Sequence, residues 1–171
     1  MLRLAQRQSG TDSTAVDMAH ALDDAIELCG PSELSGARIE VIRKYEAVPP
    51  VRASATQLEE AFIQLIQNAR SAMLGQRGGK LTLEIKLVEN RLVRVVVADT
   101  GVGISPENLP RIFDPFFTTR SSDRSGSGLG LSFVHRIVED NGGTIQAEST
   151  PGTGTRFTLT FPADLGRAHR T

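Results

Sequence analysis

The sequence predicts a two-layer α/β sandwich, in which about three helices cover one face of a mixed sheet of roughly five strands. Apolar and polar residues alternate in most of the predicted strands, which is typical of a sheet with one buried and one solvated face. Three other stretches repeat their apolar residues at the spacing of helical turns. A chain of 171 residues, 39% of them hydrophobic, is long enough to form one domain with a real core.

Composition argues against several classes of function. A formal net charge of −1 gives no electrostatic reason to expect a nucleic-acid or membrane-surface partner. Aromatic residues make up only 5% of the chain, so a platform for stacked nucleic-acid bases is not expected. The one cysteine, Cys29, cannot form an internal disulfide, which favours a reducing compartment. Because the chain has neither a signal peptide nor an apolar run of about 20 residues, we expect it to be cytoplasmic.

The first third of the chain contains a helix and a strand. Residues 1–11 are expected to be the end of a preceding helix or a linker, and the main domain is expected to span residues 12–162. A first helix should end at the Gly-Pro pair at 30–31. Alternation over residues 37–44 predicts a strand, and the proline pair at 49–50 forces an extended passage. The helical positions of the first helix are Ala15, Met18, Ala19, Leu22, Ala25, Ile26 and Cys29.

A long amphipathic helix comes next. Residues 54–57 have the spacing of a capping box, and the glycines between 75 and 79 end the helix. Asn68 lies on the shoulder of its apolar stripe, with Gln64 one turn earlier on the same side. An amide in that half-buried position needs hydrogen-bond partners. The stripe consists of Leu58, Ala61, Phe62, Leu65, Ile66, Ala69, Ala72 and Met73.

The hairpin after this helix ends on an acid. Residues 81–87 and 93–97 alternate as two strands around a turn at residues 89–90. Asp99 is in phase with the valines of the second strand, which places its carboxylate on the core face. A buried charge without a partner is costly, and the sequence does not obviously supply a donor for it. The exocyclic amino group of a bound base would satisfy this carboxylate.

A cluster of glycines opens the last predicted helix. Gly126, Gly128 and Gly130 follow a polar segment, and the helix should end at the Asn-Gly-Gly at 141–143. Unpaired N–H groups and the helix dipole at such a start bind phosphate. Together with the buried acid, this start predicts a nucleotide site with the base at one end and the phosphates at the other. The apolar side of the helix is predicted to be Phe133, Val134, Ile137 and Val138.

Two further strands complete the predicted sheet. Alternation at residues 145–147 and at residues 157–161 predicts a hairpin, whose turn lies at residues 151–154. Residues 163–171 are polar and are expected to be a disordered tail.

Five motifs, in this order along the chain, resemble those of the ATP-binding catalytic domain of bacterial sensor histidine kinases. The wider superfamily includes DNA gyrase, the heat-shock chaperone ATPases and MutL, and the resemblance spans residues 12–162. It implies the Bergerat fold. The motifs are an N box at 60–72, a first glycine box at 99–103, an F box of the nitrogen-regulation type at 113–120, a second glycine box at 126–131 and a third at 152–155.

The resemblance implies that the domain binds Mg-ATP. Asp99 would then accept a hydrogen bond from the amino group of adenine. Phe113, Phe116 and Phe117 would anchor a lid, and residues 118–127 would open and close over the triphosphate.

Further roles follow from the same resemblance. Asn68 would offer its amide oxygen to Mg²⁺, a cation that takes oxygen ligands. Gly101 and Gly103 would let the backbone approach the base, and Thr155 would support that side of the pocket. Arg120 would add charge near the γ-phosphate. The residues implied in binding are Asn68, Asp99, Gly101, Gly103, Ile104, Phe113, Phe117, Thr118, Thr119, Arg120, Gly126, Ser127, Gly128, Leu129, Gly130, Leu131 and Thr155, and those implied in catalysis are Gln64, Asn68 and Arg120.

Two positions depart from the family's pattern. Many members have Asn where this chain has Gln64, and Lys where it has Ser71, so we expect a shifted phosphate geometry. The hydrolysing ATPases of the superfamily have Glu at the position of Gln64, where it serves as general base for water. Because an amide cannot take up that proton, the resemblance favours phosphotransfer over hydrolysis.

The family's phosphoacceptor, a His followed by an acid on a helical hairpin, is not found in this sequence. We interpret His20, His135 and His169 as solvated histidines. The resemblance therefore implies transfer of the γ-phosphate to a separate dimerisation and phosphoacceptor domain, and indirectly to a response regulator. The isolated domain is expected to be a monomer without membrane contact, even if it is the cytoplasmic part of a membrane-bound kinase.

Two alternative functions remain open. One is a protein-serine kinase of the same superfamily, of the anti-sigma type. The other is an ATP-binding regulatory module that transfers no phosphate. Transfer to a serine-bearing protein would favour the first, and tight ATP binding without transfer to any hairpin domain would favour the second.

Overall fold

The computed structural model of the protein describes residues 13–118 and 130–166. The predicted N-terminal stump and the end of the predicted tail lie outside these residues. In chain order the elements are β1 (Thr14–Val16), α1 (Met18–Cys29), α2 (Pro31–Gly36), β2 (Ile39–Tyr45), β3 (Val51–Ala53), α3 (Ala55–Met73), β4 (Gly79–Val88), β5 (Leu92–Asp99), a 3-10 turn (Leu109–Arg111), α4 (Gly130–Asp140), β6 (Thr144–Thr150) and β7 (Gly154–Pro162).

The predicted mixed sheet of five strands is confirmed. Its strand order is β2-β4-β5-β7-β6, and β1 and β3 form a separate antiparallel ribbon. β2 and β4 run parallel, while the other neighbours in the sheet are antiparallel. The turn between β4 and β5 has Glu89 and Asn90 at its centre, and both have positive φ, as the two central residues of a type I′ turn do.

The core lies between the sheet and the helices, with α3 at its centre. α3 packs against α1, α4 and three strands of the sheet. Its predicted stripe is buried except for Ala72, which is half-buried. Alternate residues of β4 and β5 are buried on the side of α3, which confirms the predicted alternation, but Val96 on the opposite face of β5 is buried as well. The buried positions on the side of α3 are Leu81, Leu83, Ile85, Val93, Val95 and Val97.

The N-terminal region differs from the prediction in two places. The carboxylate of Asp17 accepts hydrogen bonds from the N–H groups of Ala19 and His20, at 2.8 and 3.3 Å, and caps α1 there. Ala15, predicted to lie in this helix, therefore lies in β1. Pro31 ends α1 but also begins α2, because proline is well tolerated in the first turn of a helix.

The buried side of α4 also differs from the prediction. Val134, Ile137 and Val138 are buried as expected, but Phe133 is 44% exposed. His135, predicted to be solvated, is half-buried instead. None of the helices in the described part of the chain is long and apolar enough to span a membrane.

The chain stays attached to the domain beyond the boundary predicted at residue 162. Ala163 forms a bridge with Val51 of β3. The N–H of Asp164 donates to the carbonyl of Pro50 at 2.7 Å, and its carboxylate lies 3.7 Å from the guanidinium of Arg52. The first two residues of the predicted tail therefore pair with β3 and with the residue before it.

Candidate functional site

A buried carboxylate closes β5. Asp99 is 9% exposed, and its Oδ1 atom accepts a 2.8 Å hydrogen bond from the N–H of Gly101. The backbone N–H of Thr155 on β7 also donates to it. Burial raises the pKa of this carboxyl above its usual value, and the two N–H groups oppose that rise. No lysine or arginine among the described residues is paired with it.

The predicted burial of Asp99 is thus confirmed, but the expectation that the chain supplies no donor for it is wrong. The donors are backbone groups. The N–H of Gly101 lies two residues along the chain, as in an Asx turn, whereas only the pairing of β5 with β7 brings the N–H of Thr155 to the carboxylate. The two oxygens of an ionised carboxylate offer about four acceptor positions. Asp99 therefore keeps the capacity to accept a further hydrogen bond.

The glycines after Asp99 pack against the protein's own chain. A Cβ at Gly101 would lie 2.6 Å from the Cβ of Ala72 on α3. Gly103 has a φ of +74°, and a Cβ there would overlap the carbonyl of Thr150. These close approaches hold the loop between α3 and the β6–β7 turn. The predicted approach of Gly101 and Gly103 to a base stays a prediction.

Ser149 on β6 fastens this loop to β7. Its Oγ atom accepts a 2.8 Å hydrogen bond from the N–H of Ile104 and donates to the carbonyl of Gly154 at 2.9 Å. The same oxygen lies 2.9 Å from Oγ1 of Thr155, which is buried. We call Asp99, Ile104, Ser149 and Thr155 the acid end of the site.

The sequence-based candidates do not include Ser149. A signal was present, because Ser149 is in phase with Ile145 and Ala147 on the half-buried face of β6. A polar residue in phase with apolar strand positions is the same pattern that selected Asp99.

Gln64 meets Gly130 where α3 packs against α4, and Asn68 lies one turn further along α3; we call these three residues the amide end. Gly130 begins α4, and a Cβ at this position would lie 2.8 Å from Oε1 of Gln64. The Nδ2 atom of Asn68 is buried and has no hydrogen-bond partner among the described residues. A buried amide without a partner is unusual in a protein, and it suits a site that awaits a polar ligand.

A cleft of about 270 Å³ opens along α3 at the amide end. Asn68 and Ser71 line it, and Cys29 and Glu33 lie on its other side. Arg70 forms a 3.2 Å ion pair with Glu33, which joins α3 to α2. Burial raises the pKa of the Cys29 thiol to about 11, so this thiol stays protonated at neutral pH and is a poor nucleophile.

Two of the three F-box phenylalanines are packed. Phe113 is half-buried, with its ring centroid 6.4 Å from that of Phe157. Phe117 is half-buried under the guanidinium of Arg111, which lies 4.6 Å from the ring centroid. Phe116 is 76% exposed, with a φ of +66°. The predicted anchoring role is therefore wrong for Phe116, which contributes no burial.

The histidines differ from one another. The ring centroid of His135 lies 5.3 Å from that of Phe113, and its Nδ1 atom lies 3.4 Å from the carboxylate of Glu139. The prediction of a plain solvated histidine is therefore wrong for His135. It is confirmed for His20, whose side chain is 79% exposed. His169 lies outside the described residues.

Several predicted contact residues also lie outside the described residues, together with most of the predicted lid at 118–127. Of their neighbours, Thr118 is exposed, and Leu131 is half-buried against the core. The predicted residues outside the described ranges are Thr119, Arg120, Gly126, Ser127, Gly128 and Leu129.

The described residues contain no group of three or more His, Cys, Asp or Glu side chains placed to hold a metal ion. Mg²⁺ commonly takes one or two protein oxygens and completes its shell with water and phosphate oxygens. The side-chain oxygen of Asn68 would supply one such ligand, whereas its buried, unpartnered Nδ2 atom is a donor and suits an acceptor such as a phosphate oxygen.

Comparison with known proteins defines the class of this site. A sequence model of the family described as "Histidine kinase-, DNA gyrase B-, and HSP90-like ATPase" matches residues 53–165. The sensor histidine kinase ZraS of Klebsiella oxytoca is 34% identical over 150 residues, which cover 88% of this chain and 31% of ZraS.

Solved structures show the same fold. The catalytic domain of histidine kinase ThkA has a TM-score of 0.76 at 28% identity and covers 89% of this chain and 96% of that domain. ThkA in complex with the response regulator protein TrrA has a TM-score of 0.71 at 27% identity, over 88% of this chain and 42% of ThkA. Full-length ShkA in complex with AMPPNP has a TM-score of 0.76 at 27% identity, over 89% of this chain and 31% of ShkA.

The family model and the fold place this domain in the class of sensor histidine kinase ATP-binding domains. The chain belongs to the family of histidine kinase-, DNA gyrase B- and HSP90-like ATPases. It spans about a third of the length of ZraS, and the nitrogen-regulation type of its F box stays a prediction.

Proposed function

We propose that this domain binds Mg-ATP and donates the γ-phosphate to a histidine on a separate dimerisation and phosphoacceptor domain. The observation that carries the proposal is the buried carboxylate of Asp99, which has no cationic partner among the described residues. It retains acceptor capacity after two backbone hydrogen bonds, and the amino group of adenine is a donor that would use this capacity. The base then lies at the acid end.

The phosphates extend from the acid end to the amide end in this proposal. The N-terminal N–H groups of a helix, together with its dipole, favour an anion, and α4 begins at Gly130. Asn68 would contribute its amide oxygen to Mg²⁺. The metal, when bound, would neutralise charge on the triphosphate and orient it for transfer.

Gln64 supports transfer to a protein over transfer to water. Its side chain reaches the start of α4, because its Oε1 atom lies beside Gly130. An amide cannot act as general base for an attacking water. Gln64 therefore does not activate water for attack on the γ-phosphate, which favours transfer to an acceptor on another domain.

The relatives support the proposed partners. ThkA has been solved with a response regulator and ShkA with AMPPNP. By analogy, we propose that this domain contacts a phosphoacceptor hairpin and serves a response regulator indirectly. A monomeric domain in the cytoplasm, in keeping with one free cysteine, completes the proposal.

The experiment that tests the proposal mixes this chain with a purified dimerisation and phosphoacceptor domain of a sensor histidine kinase and γ-labelled ATP. We expect label on the hairpin domain that is stable to alkali and labile to acid, as a phosphohistidine is. Exchange of the acceptor histidine for Gln should remove the label, and Asp99→Asn in this chain should remove it as well.

Other outcomes would separate the alternatives. Acid-stable label on a serine-bearing protein would indicate a serine kinase, and ATP binding without transfer to any hairpin would indicate a regulatory module. Release of inorganic phosphate as fast as label is transferred would contradict the role given to Gln64. Gln64→Glu supplies the comparison, because a carboxylate there should increase hydrolysis.

A further inference from the structure

We propose that Ser149 is a positioning residue that sets the base selectivity of the site. Its oxygen accepts the one hydrogen bond that the Thr155 hydroxyl can donate. Toward a ligand, the Thr155 hydroxyl can then act only as an acceptor. This inference rests on the proposed function, because it requires that a nucleobase occupy the acid end.

Among the described residues, the hydroxyl of Ser149 has three neighbours within hydrogen-bond distance. They are the N–H of Ile104 at 2.8 Å, the carbonyl of Gly154 at 2.9 Å and the hydroxyl of Thr155 at 2.9 Å. A serine hydroxyl has one proton to donate and two lone pairs to accept with. Three neighbours therefore use its full capacity.

The positions of the protons follow from the chemistry of these neighbours. A carbonyl can only accept, so the proton between Ser149 and Gly154 must come from Ser149. The N–H of Ile104 can only donate, so it occupies one lone pair of Ser149. The remaining contact has no serine proton left, and Thr155 must donate its own proton to Ser149.

The hydroxyl of Thr155 lies beside Asp99. The two residues are directly paired between β5 and β7, so their side chains point to the same face of the sheet, with Cβ atoms about 5 Å apart. Thr155 is buried, and its backbone N–H donates to the Asp99 carboxyl. With its proton directed to Ser149, the Thr155 hydroxyl offers only lone pairs on the side of Asp99.

The acid end thus presents two side-chain acceptors next to one another. A purine with an amino group at the 6 position supplies protons to such a site. A purine with a carbonyl there would place a third acceptor against them and leave buried groups unpaired, which lowers affinity. Ser149 therefore contributes to the preference for adenine over hypoxanthine, although we place it outside contact with the base.

Calorimetric titration with ATP and with inosine triphosphate tests this inference, because the two nucleotides differ at that position of the base. Ser149→Ala should weaken ATP binding about tenfold and inosine triphosphate binding much less, so the ratio of affinities should fall about fivefold. The reason is that the freed Thr155 hydroxyl can rotate and donate to the carbonyl. Ser35→Ala is the control. It removes an exposed serine hydroxyl whose hydrogen bond to the carbonyl of Pro31 is also 2.9 Å long, and it should leave the ratio of affinities unchanged.

Two further variants separate positioning from structural damage. Ser149→Thr keeps the hydroxyl and should keep the wild-type ratio. In a Thr155→Val background the hydroxyl that Ser149 orients is absent, so Ser149→Ala should change the ratio by less than about twofold. Thermal melts check that each variant is folded. If Ser149→Ala is unstable, Thr155→Val alone should still lower the ratio, because it removes the acceptor that Ser149 orients, and an unchanged ratio would overturn the inference.

The outcomes are distinct for the two proposals. Equal weakening of both nucleotides by Ser149→Ala, with a wild-type protein that prefers ATP, would overturn the role of Ser149 and leave ATP binding intact. A ratio that falls equally in the presence and absence of the Thr155 hydroxyl would also overturn it. A folded wild-type protein that binds neither nucleotide would overturn the proposed function itself.

Discussion

The acid end and the amide end of the site are built in different ways. Asp99, Ser149 and Thr155 lie on three adjacent strands, and each is hydrogen-bonded by the chain itself. At the amide end, the Nδ2 atom of Asn68 is buried without a partner among the described residues. We therefore expect the base to bind side chains that are already held in place by hydrogen bonds. The phosphates would instead supply hydrogen-bond partners that the amide end lacks among the described residues.

The difference follows from the elements that carry each end. Strands are joined by backbone hydrogen bonds, so pairing of Asp99 with Thr155 fixes both side chains at once. Helices satisfy their backbone internally except at their ends, and the N–H groups of a helix start are suited to bind an anion. A sheet thus suits recognition of a fixed shape, and a helix start suits recognition of charge.

Asp99→Asn should have the largest effect on this comparison, because it alters the acceptor on which the acid end depends. We expect ATP affinity to fall about a hundredfold or more, since a charged acceptor is replaced by a group that also presents two donors. The fold should persist, because a buried charge is removed. Calorimetric titration alongside a thermal melt measures both, and wild-type affinity would rule out contact between Asp99 and the base.

The same variant tests the environment of the carboxyl through pH. Burial raises the pKa of Asp99 in the folded state, so the folded protein holds this proton more tightly than the unfolded chain does. Stability from this group should be present below the ordinary Asp pKa of about 3.9 and lost as pH rises through the raised value. The stability of Asp99→Asn relative to wild type should therefore increase over that window in urea titrations. A difference independent of pH would contradict the raised pKa.

Gly101→Ala should destabilise the acid end through packing. The added Cβ would meet Ala72 on α3 at 2.6 Å, so the loop or the helix must move, at a cost of about 1–3 kcal/mol. Gly36→Ala is the matched control, because a Cβ at that helical position meets nothing within 4 Å. Denaturant unfolding should show a lower free energy of unfolding for Gly101→Ala than for wild type, and no loss for Gly36→Ala. Equal free energies for the two variants would mean that small shifts relieve the contact with Ala72.

Asn68→Ala should affect the amide end alone. If its amide oxygen binds Mg²⁺, the variant should bind ATP about tenfold more weakly in Mg²⁺ and with little change in EDTA, since one ligand of the ion is lost. Gln146→Ala removes an exposed amide from β6 and should leave both values unchanged. An undiminished response to Mg²⁺ in Asn68→Ala would remove this residue from the metal site.

His135→Ala should have the smallest effect. Its ring packs 5.3 Å from Phe113, and loss of such a pair costs about 0.5–1.5 kcal/mol. His20→Ala is the control, because His20 lies at the same 3.4 Å from an acid one turn away but has an exposed side chain. Thermal melts should show a lower midpoint for the first variant only, and matched midpoints would mean that the ring contact adds nothing.

Local patterns predicted the elements of the sandwich well and their ends less well. Alternation located β4 and β5, and the helical stripe located α3. Ala15 was misplaced because its apolar side chain fits either a helix or a strand, and the cap at Asp17 decided between them. The helical pattern includes Phe133 in the buried side of α4 because its side chain is large and apolar. In the structure, Val134, Ile137 and Val138 pack against the core, and Phe133 is exposed.

The sequence by itself determined the fold class, the buried acid in phase with its strand and the half-buried amide on the shoulder of α3. These features are periodic, and a period of two or of 3.6 residues is a local property that a sequence carries in full. Only the tertiary structure decided which groups meet. The pairing of β6 with β7 brings Ser149 to Ile104 and Thr155, and the packing of α3 against the loop after β5 brings Ala72 to Gly101. Such contacts depend on register and packing between distant segments, and no local pattern encodes them.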